Sequence, residues 1–271
     1  VVKPIGIITD YGKKDGYAGA LLAEIYKVSP EIPVIEITHE VPPQDLLYGA
    51  VVLWQCMRTF PRGTIFLVVV DPEVGSDREI LIVERKDQIF VAPDSGVLHF
   101  ALMDPESRVC AVDPEIARKR PLKTTTFAGR DVMAPLSARL AVGEIAPEVV
   151  GIPCEEYTIL EIPQPIFDPY RWRGHILHSD RFGNLISDLP APPDELWATT
   201  RVFLEDIPIG PIRRSYSEVQ PGSLVATVGA LETVEVSVNR GSALERLRKG
   251  VGSPIELLFP SEVPAPPFPW W

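Results

Sequence analysis

The chain reads as a two-part α/β protein: an N-terminal α/β domain built on a mainly parallel sheet, then a smaller C-terminal β-barrel domain. Three observations predict it. From Lys3 to about Arg139, short β-branched runs alternate with helical stretches, the pattern of strands joined by crossover helices. Beyond residue 150 the runs come at close spacing with turn residues between them, as in a small barrel or sandwich. With 271 residues, 45% of them hydrophobic, the chain can fill a sizeable core.

Taken in order, "KPIGIITD" (3–10) is the first strand, and "DGYAGALLAEIYKVSP" (15–30) is a helix with Leu21, Leu22, Ile25 and Val28 on one face. "VIEITHEV" (34–41) is the second strand, "DLLYGAVVLWQCMRTF" (45–60) the second helix and "GTIFLVVVD" (63–71) the third strand. In "EILIVERKDQIFVAPDSG" (79–96) two apolar runs flank the polar "ERKDQ", which predicts a hairpin grafted onto the sheet. "TTTFAGRDVMAPLSARLA" (124–141) enters a helix, with Asp131 placed to cap it and Pro135 tolerated in its first turn.

The first domain is expected over 1–155. Residues 156–171 are rich in proline, carry no helical period and read as a linker. The barrel, 172–259, holds "GHILHSDRFGNLISDL", "TRVFLEDIPIG", "GSLVATVGALETVEVSVNRG" and "SPIELLF", with "SALERLRKG" as its one helical stretch. The tail 260–271, "PSEVPAPPFPWW", cannot continue a strand or helix, and Trp270 and Trp271 are expected to dock on an apolar surface.

A formal net charge of -11 repels nucleic acid and anionic membrane surfaces alike, so neither is an expected partner. The apolar run "IFLVVV" (65–70) is far too short for a bilayer crossing, and the opening residues are not a basic-then-apolar leader; a cytoplasmic protein is expected. Cys56, Cys110 and Cys154 form no CxxC pair, and their odd number argues against a disulfide framework. The 29 prolines, many between apolar runs, point to a thermostable chain, because a fixed φ lowers the entropy of the unfolded state.

In an open α/β sheet, ligands gather beyond the carboxyl ends of the strands. Three such ends here carry polar residues. Asp10 follows the first strand in "TDYGKKDGYAG"; its carboxylate can accept both hydroxyls of a ribose, or serve as a turn or cap residue. Asp71 follows the third strand in "VVVDPEVGSDR", where desolvation demands a partner, and Arg78 can fold back to pair with it, in a site or as a structural ion pair. At the third end, Gly129 allows close backbone approach beside a helix start that can take an anion or a polarised water. His175 and His178 lie three apart in a predicted strand and face opposite ways. No zinc spacing, GxSxG elbow, P-loop or HExxH occurs, so no metal and no serine nucleophile is expected.

Together "ITDYGKKDGYAG", "HEVPPQD", "GTIFLVVVDPEVGSDR", "FVAPDSGVL", "TFAGRDVMAPLSARLA", "DRFGN" and "VNRG" resemble, in order and spacing, the S-adenosyl-L-methionine hydroxide adenosyltransferases, relatives of fluorinating and chlorinating enzymes that attack the same substrate. The resemblance runs from Ile5 to about Phe259. It implies a homotrimer whose active sites lie at subunit interfaces, with no cofactor. It implies further that Asp10 binds ribose, that Asp180 receives the methionine amine, that Phe182 and Asn184 lie on the adenine side, and that Asn239 and Arg240 hold the methionine carboxylate.

Catalysis falls, by the same resemblance, to an Asp, Arg and His set, of which Asp71 and Arg78 supply two. The chain departs at the third: where the family has histidine it has Ala128, whether by engineering or by nature. The expected reaction is hydrolysis of S-adenosyl-L-methionine (SAM) to adenosine and L-methionine, impaired by that alanine. Attack by chloride, or binding of SAM or adenosine without catalysis, are the alternatives.

Overall fold

The computed structural model describes residues 1–113, 115 and 126–267. The chain divides into two compact units, Val1–Leu160 and Glu161–Trp271.

The first unit carries a seven-stranded sheet, β1 (Ile5–Thr9), β2 (Val34–Thr38), β3 (Ile65–Val69), β4 (Ile80–Arg85), β5 (Gln88–Pro93), β6 (Arg108–Val112) and β7 (Gly151–Pro153), in the order β2-β1-β3-β5-β4-β6-β7. β1 and β3 are buried at every position, which is why both read as unbroken apolar runs and not as alternating ones. β1 lies parallel to β2 on one side and to β3 on the other, in register from Ile5↔Ile65 to Thr9↔Val69, and β3 lies parallel to β5. The expected hairpin is β4–β5, turned at Lys86 with φ 53. Its β4 runs antiparallel to β6, as β6 does to β7, so the parallel core β2-β1-β3-β5 continues into an antiparallel flank.

Helix α1 (Tyr17–Val28) buries Ala18, Leu21 and Ile25. Helix α2 (Leu46–Thr59) starts at Asp45, whose carboxylate accepts the Tyr48 N–H at 2.9 Å, the capping expected of an Asp before an apolar helix. Gly49 lets α2 sit close to the segments that follow β3 and β5, since a Cβ there would come within 3.3 Å of Val70 and 3.1 Å of Val97. Trp54 of α2, fully buried, stacks at 4.7 Å on Phe100 of the short α3 (His99–Leu102). Among the described residues two further helices follow, α4 (Ala134–Ala141) and α5 (Pro147–Val150), and α4 packs on α1. Among the described residues no helix is long and apolar enough to cross a membrane.

The second unit is a nine-stranded sheet: β8 (Ile166–Asp168), β9 (Arg171–Ser179), β10 (Leu185–Pro190), β11 (Arg201–Leu204), β12 (Ile207–Gly210), β13 (Ile212–Arg213), β14 (Leu224–Val228), β15 (Thr233–Val238) and β16 (Pro254–Leu258). Its order is β12-β11-β16-β9-β10-β15-β14-β13, with β8 on β9, and β12 also lies beside β14, which curls the sheet toward a barrel. Helix α6 (Ala243–Leu247) is capped by Ser242, which accepts the Glu245 N–H. Strand β8 falls within the stretch read as a linker. It is three residues long, and Pro165 and Pro169 flank it without entering its ladder to β9, so the proline-rich text hides it.

The core of this unit gathers Trp172, Ile176, Leu189, Val234, Ile255 and their neighbours, and the tail adds Val263, whose N–H donates to Pro169 O at 2.7 Å. Trp270 and Trp271 lie outside the described residues. One buried carboxylate is incompletely satisfied: Asp188 on β10 accepts the His175 N–H at 2.8 Å through Oδ1, while Oδ2 has no hydrogen-bond partner and lies 3.8 Å from His175 Nδ1.

Candidate active site

The chain passes from β1 to β2 on one side and then returns to β3 on the other, so the sheet's switch point lies between β1 and β3. A crevice forms at the carboxyl ends of such strands. Asp10, immediately after β1, and Asp71, two residues after β3, line one cavity there of about 490 Å³, together with Gly129. Three of the residues singled out from the sequence, far apart along it, are thus neighbours.

Asp10 is fixed by the loop before α2: its Oδ2 accepts the Gln44 N–H at 2.9 Å, and Gln44 adopts φ 66. Asp71 is held differently. Its side chain is only 11% exposed, and Oδ1 accepts the Glu73 N–H at 3.1 Å. Arg78 stands beside it with Nε 3.3 Å from Oδ1, close enough to act as a charge but without hydrogen-bond geometry. The other guanidinium nitrogens are committed, one to Asp94 O and one to the Glu73 carboxylate, both at 2.5 Å. The expected pair therefore exists as part of a larger brace. Burial raises the Asp71 carboxyl above the ordinary carboxylate range; the Glu73 N–H and Arg78 pull it partly back, and the charges of Glu73 and Asp10 add to the rise.

The third wall is a wide π-helical turn, Gly129–Met133, leading into α4. A Cβ at Gly129 would overlap the Tyr11 hydroxyl and stand 2.8 Å from Val69, so only glycine fits. The expectation that Asp131 caps the helix is corrected here. Helical backbone already begins at Ala128 (φ -57, ψ -33), which puts Asp131 past the capping position. Its carboxylate instead takes Arg130 Nε and Nη2 at 2.6 and 2.8 Å, and the Arg130 guanidinium lies 4.2 Å over the Phe127 ring. Ala128 is half-buried and packs on the apolar core, while its neighbours Phe127 and Gly129 line the cavity.

The remaining candidates lie in the second unit. Asp180, Phe182 and Asn184 form the tight turn between β9 and β10: Asp180 Oδ1 accepts the N–H groups of Phe182 and Asn184, and Oδ2 accepts Asn184 Nδ2, each at 2.9 Å. That turn leaves Phe182 74% exposed. It packs on the start of α6, because the Leu244 N–H donates to Gly183 O and Gly183 leaves no room for a Cβ beside Ser242. Asn239 and Arg240 occupy the turn between β15 and α6; Asn239 Nδ2 donates to Val219 O at 2.7 Å, and exposed Arg240 takes φ 57.

Sequence reasoning missed Tyr11, Tyr17, Gln44, Phe127 and Arg130 on the cavity wall, and Tyr216, whose hydroxyl donates to the buried Glu235 at 2.5 Å. Tyr11 adjoins Asp10 in the same quoted motif, which was signal enough to consider it. His39, by contrast, is a buried strut between Thr9 Oγ1 (2.8 Å) and Glu36 (3.1 Å).

Carboxylates emerging from adjoining parallel strands into one cleft define the class: an α/β protein with an acid-lined cavity at its switch point. The chain belongs to the SAM hydroxide adenosyltransferase family, whose N-terminal domain matches residues 5–151 and whose C-terminal domain matches residues 174–256. An (R)-S-adenosyl-L-methionine hydrolase of Thermus thermophilus is 34% identical over 270 residues, covering 95% of this chain and 100% of the relative. A protein of the same name from Salinispora arenicola is 31% identical, covering 90% and 93%. A crystal structure of an uncharacterized conserved protein from Thermotoga maritima superposes with a TM-score of 0.83 at 30% identity, covering 93% of this chain and 99% of that one.

Proposed function

We propose that this chain hydrolyses SAM to adenosine and L-methionine by attack of water on the ribose C5′ carbon. The observation that carries the reading is the single cavity in which Asp10 and Asp71 meet at the switch point of a chain of this family. Asp10 would take the ribose hydroxyls. Asp71, anionic and shielded, would accept a proton from the attacking water, with Arg78 favouring its ionised form. Methionine leaves as a neutral thioether, so the leaving group needs no proton donor and the reaction no metal or cofactor. The turn around Asp180 and the Asn239–Arg240 turn would hold the adenine and methionine ends. The working assembly is a homotrimer in which the first unit of one subunit faces the second unit of its neighbour; the exposed Phe182 and Arg240 support this, and a monomeric mass by light scattering would remove it.

Two experiments test the reading. In ¹⁸O-labelled water the adenosine formed should carry the label; a chlorinated nucleoside in chloride buffer, or calorimetric binding with no product even in Ala128→His, would refute hydrolysis. Ala128→His should raise turnover by about a hundredfold, at the low end of what a lost proton-handling group costs, with the variant's thermal midpoint measured alongside. Equal rates would show that position 128 is irrelevant to turnover.

A further inference from the structure

We propose that the Tyr11 phenol positions the attacking water in this chain and sustains the turnover that remains without a histidine at position 128, an inference that rests on the hydrolase reading above. Tyr11 follows Asp10 directly at the end of β1. Its ring meets Phe127 edge-on at 5.6 Å and Tyr17 at 6.2 Å, and those two meet each other edge-on at 5.5 Å, so three mutually inclined rings fix the direction of the phenol. The hydroxyl is delivered to the wall formed by Gly129, so close that any Cβ there would displace it. Glycine at 129 is therefore the condition for the hydroxyl to reach this wall, one residue from the alanine that carries no polar group.

Among the described residues no hydrogen bond holds this hydroxyl, and Tyr11 lines the cavity, where a phenol can both accept and donate. Burial and the nearby carboxylates of Asp10 and Asp71 keep the phenol protonated well above the usual tyrosine range, with Arg130 opposing them, so it serves as a neutral hydrogen-bonding group at any working pH. In the step, the water oxygen bonds to C5′ as the C5′–S bond breaks, and the electron pair leaves on sulfur. One water proton passes to Asp71 and then to solvent. The other hydrogen is donated to the Tyr11 oxygen, which turns a water lone pair toward the carbon. Tyr11 neither gains nor loses a proton; it is a positioning residue.

The test compares adenosine release from SAM by four full-length chains: the parent, Tyr11→Phe, Ala128→His, and the double variant. Phenylalanine keeps the aromatic triad, so the KM for SAM and the thermal midpoint should hold, while kcat of the single variant falls by about tenfold to a hundredfold, the cost of a misplaced nucleophile. The fall should be several times smaller when histidine is present at 128. Unchanged kcat in Tyr11→Phe, or a parent that is silent while Ala128→His is active, overturns the role of Tyr11 and leaves hydrolysis standing. Silence from all four chains overturns the hydrolase reading and this inference with it.

Discussion

Replacing Asp71 with asparagine is expected to lower the rate of adenosine release by about 10²–10⁴ while leaving substrate affinity nearly unchanged. Asparagine has the same shape and its Oδ1 can still accept the Glu73 N–H, so the loop after β3 should keep its form. What disappears is the proton acceptor. The pH profile separates this from a structural effect. Since burial raises the Asp71 carboxyl, activity of the parent should fall away with acidification sooner than an ordinary aspartate would dictate, and the acidic limb should vanish in the variant.

Stability should move the other way. A carboxyl whose folded value is raised stabilises the fold when protonated and loses that contribution as pH rises, so at neutral pH the asparagine variant should be no less stable than the parent. Chemical denaturation beside the kinetics checks both. A variant with the parent's rate would remove Asp71 from the chemistry.

Asp188→Asn should stabilise the second unit at about pH 8 by roughly 4 kcal/mol, from a displacement of about three pH units at about 1.4 kcal/mol each. Burial pushes this carboxyl up to about 7, with its side chain only 4% exposed. Ionisation above that pH leaves a charge on Oδ2 with no hydrogen-bond donor. Stability of the parent is therefore greatest where Asp188 is protonated in both states, falls as pH rises from the ordinary carboxylate range to about 7, and is level above it.

Asparagine keeps the acceptor for the His175 N–H and places an N–H donor toward His175 Nδ1, which accepts when the ring carries its proton on Nε2. Denaturant titrations followed by tryptophan fluorescence at about pH 8 and about pH 5 should show the gain shrink by more than half at the lower value. A gain independent of pH would mean that packing, and not charge, had changed.

The parts of this molecule that were legible in its sequence are those governed by local rules. The apolar runs of β1 and β3, buried on both faces, and the polar turn of the β4–β5 hairpin can be read directly, and the strand-end rule then brings Asp10 and Asp71 together. What escaped depends on contacts between distant segments. Nothing near Asp10 announces that the Gln44 N–H will bind it, and nothing near Arg78 announces Asp94 O. Asp131 looked like a cap because a cap is defined by the first helical residue, and the π turn moved that residue back to Ala128. Gly129 was read as permissive toward a ligand, whereas the atom it admits belongs to Tyr11.

Because β1 lies on β3 residue for residue from Ile5↔Ile65 to Thr9↔Val69, the spacing of the two strand ends from which Asp10 and Asp71 follow is set by a ladder of main-chain hydrogen bonds. The loops then aim the carboxylates, through the Gln44 N–H on Asp10 and the Glu73 N–H on Asp71, so loop changes that spare those contacts leave the acid pair in place. An insertion of a single residue within β1 would do the opposite, turning position 10 to the far side of the sheet and separating the two acids at a stroke.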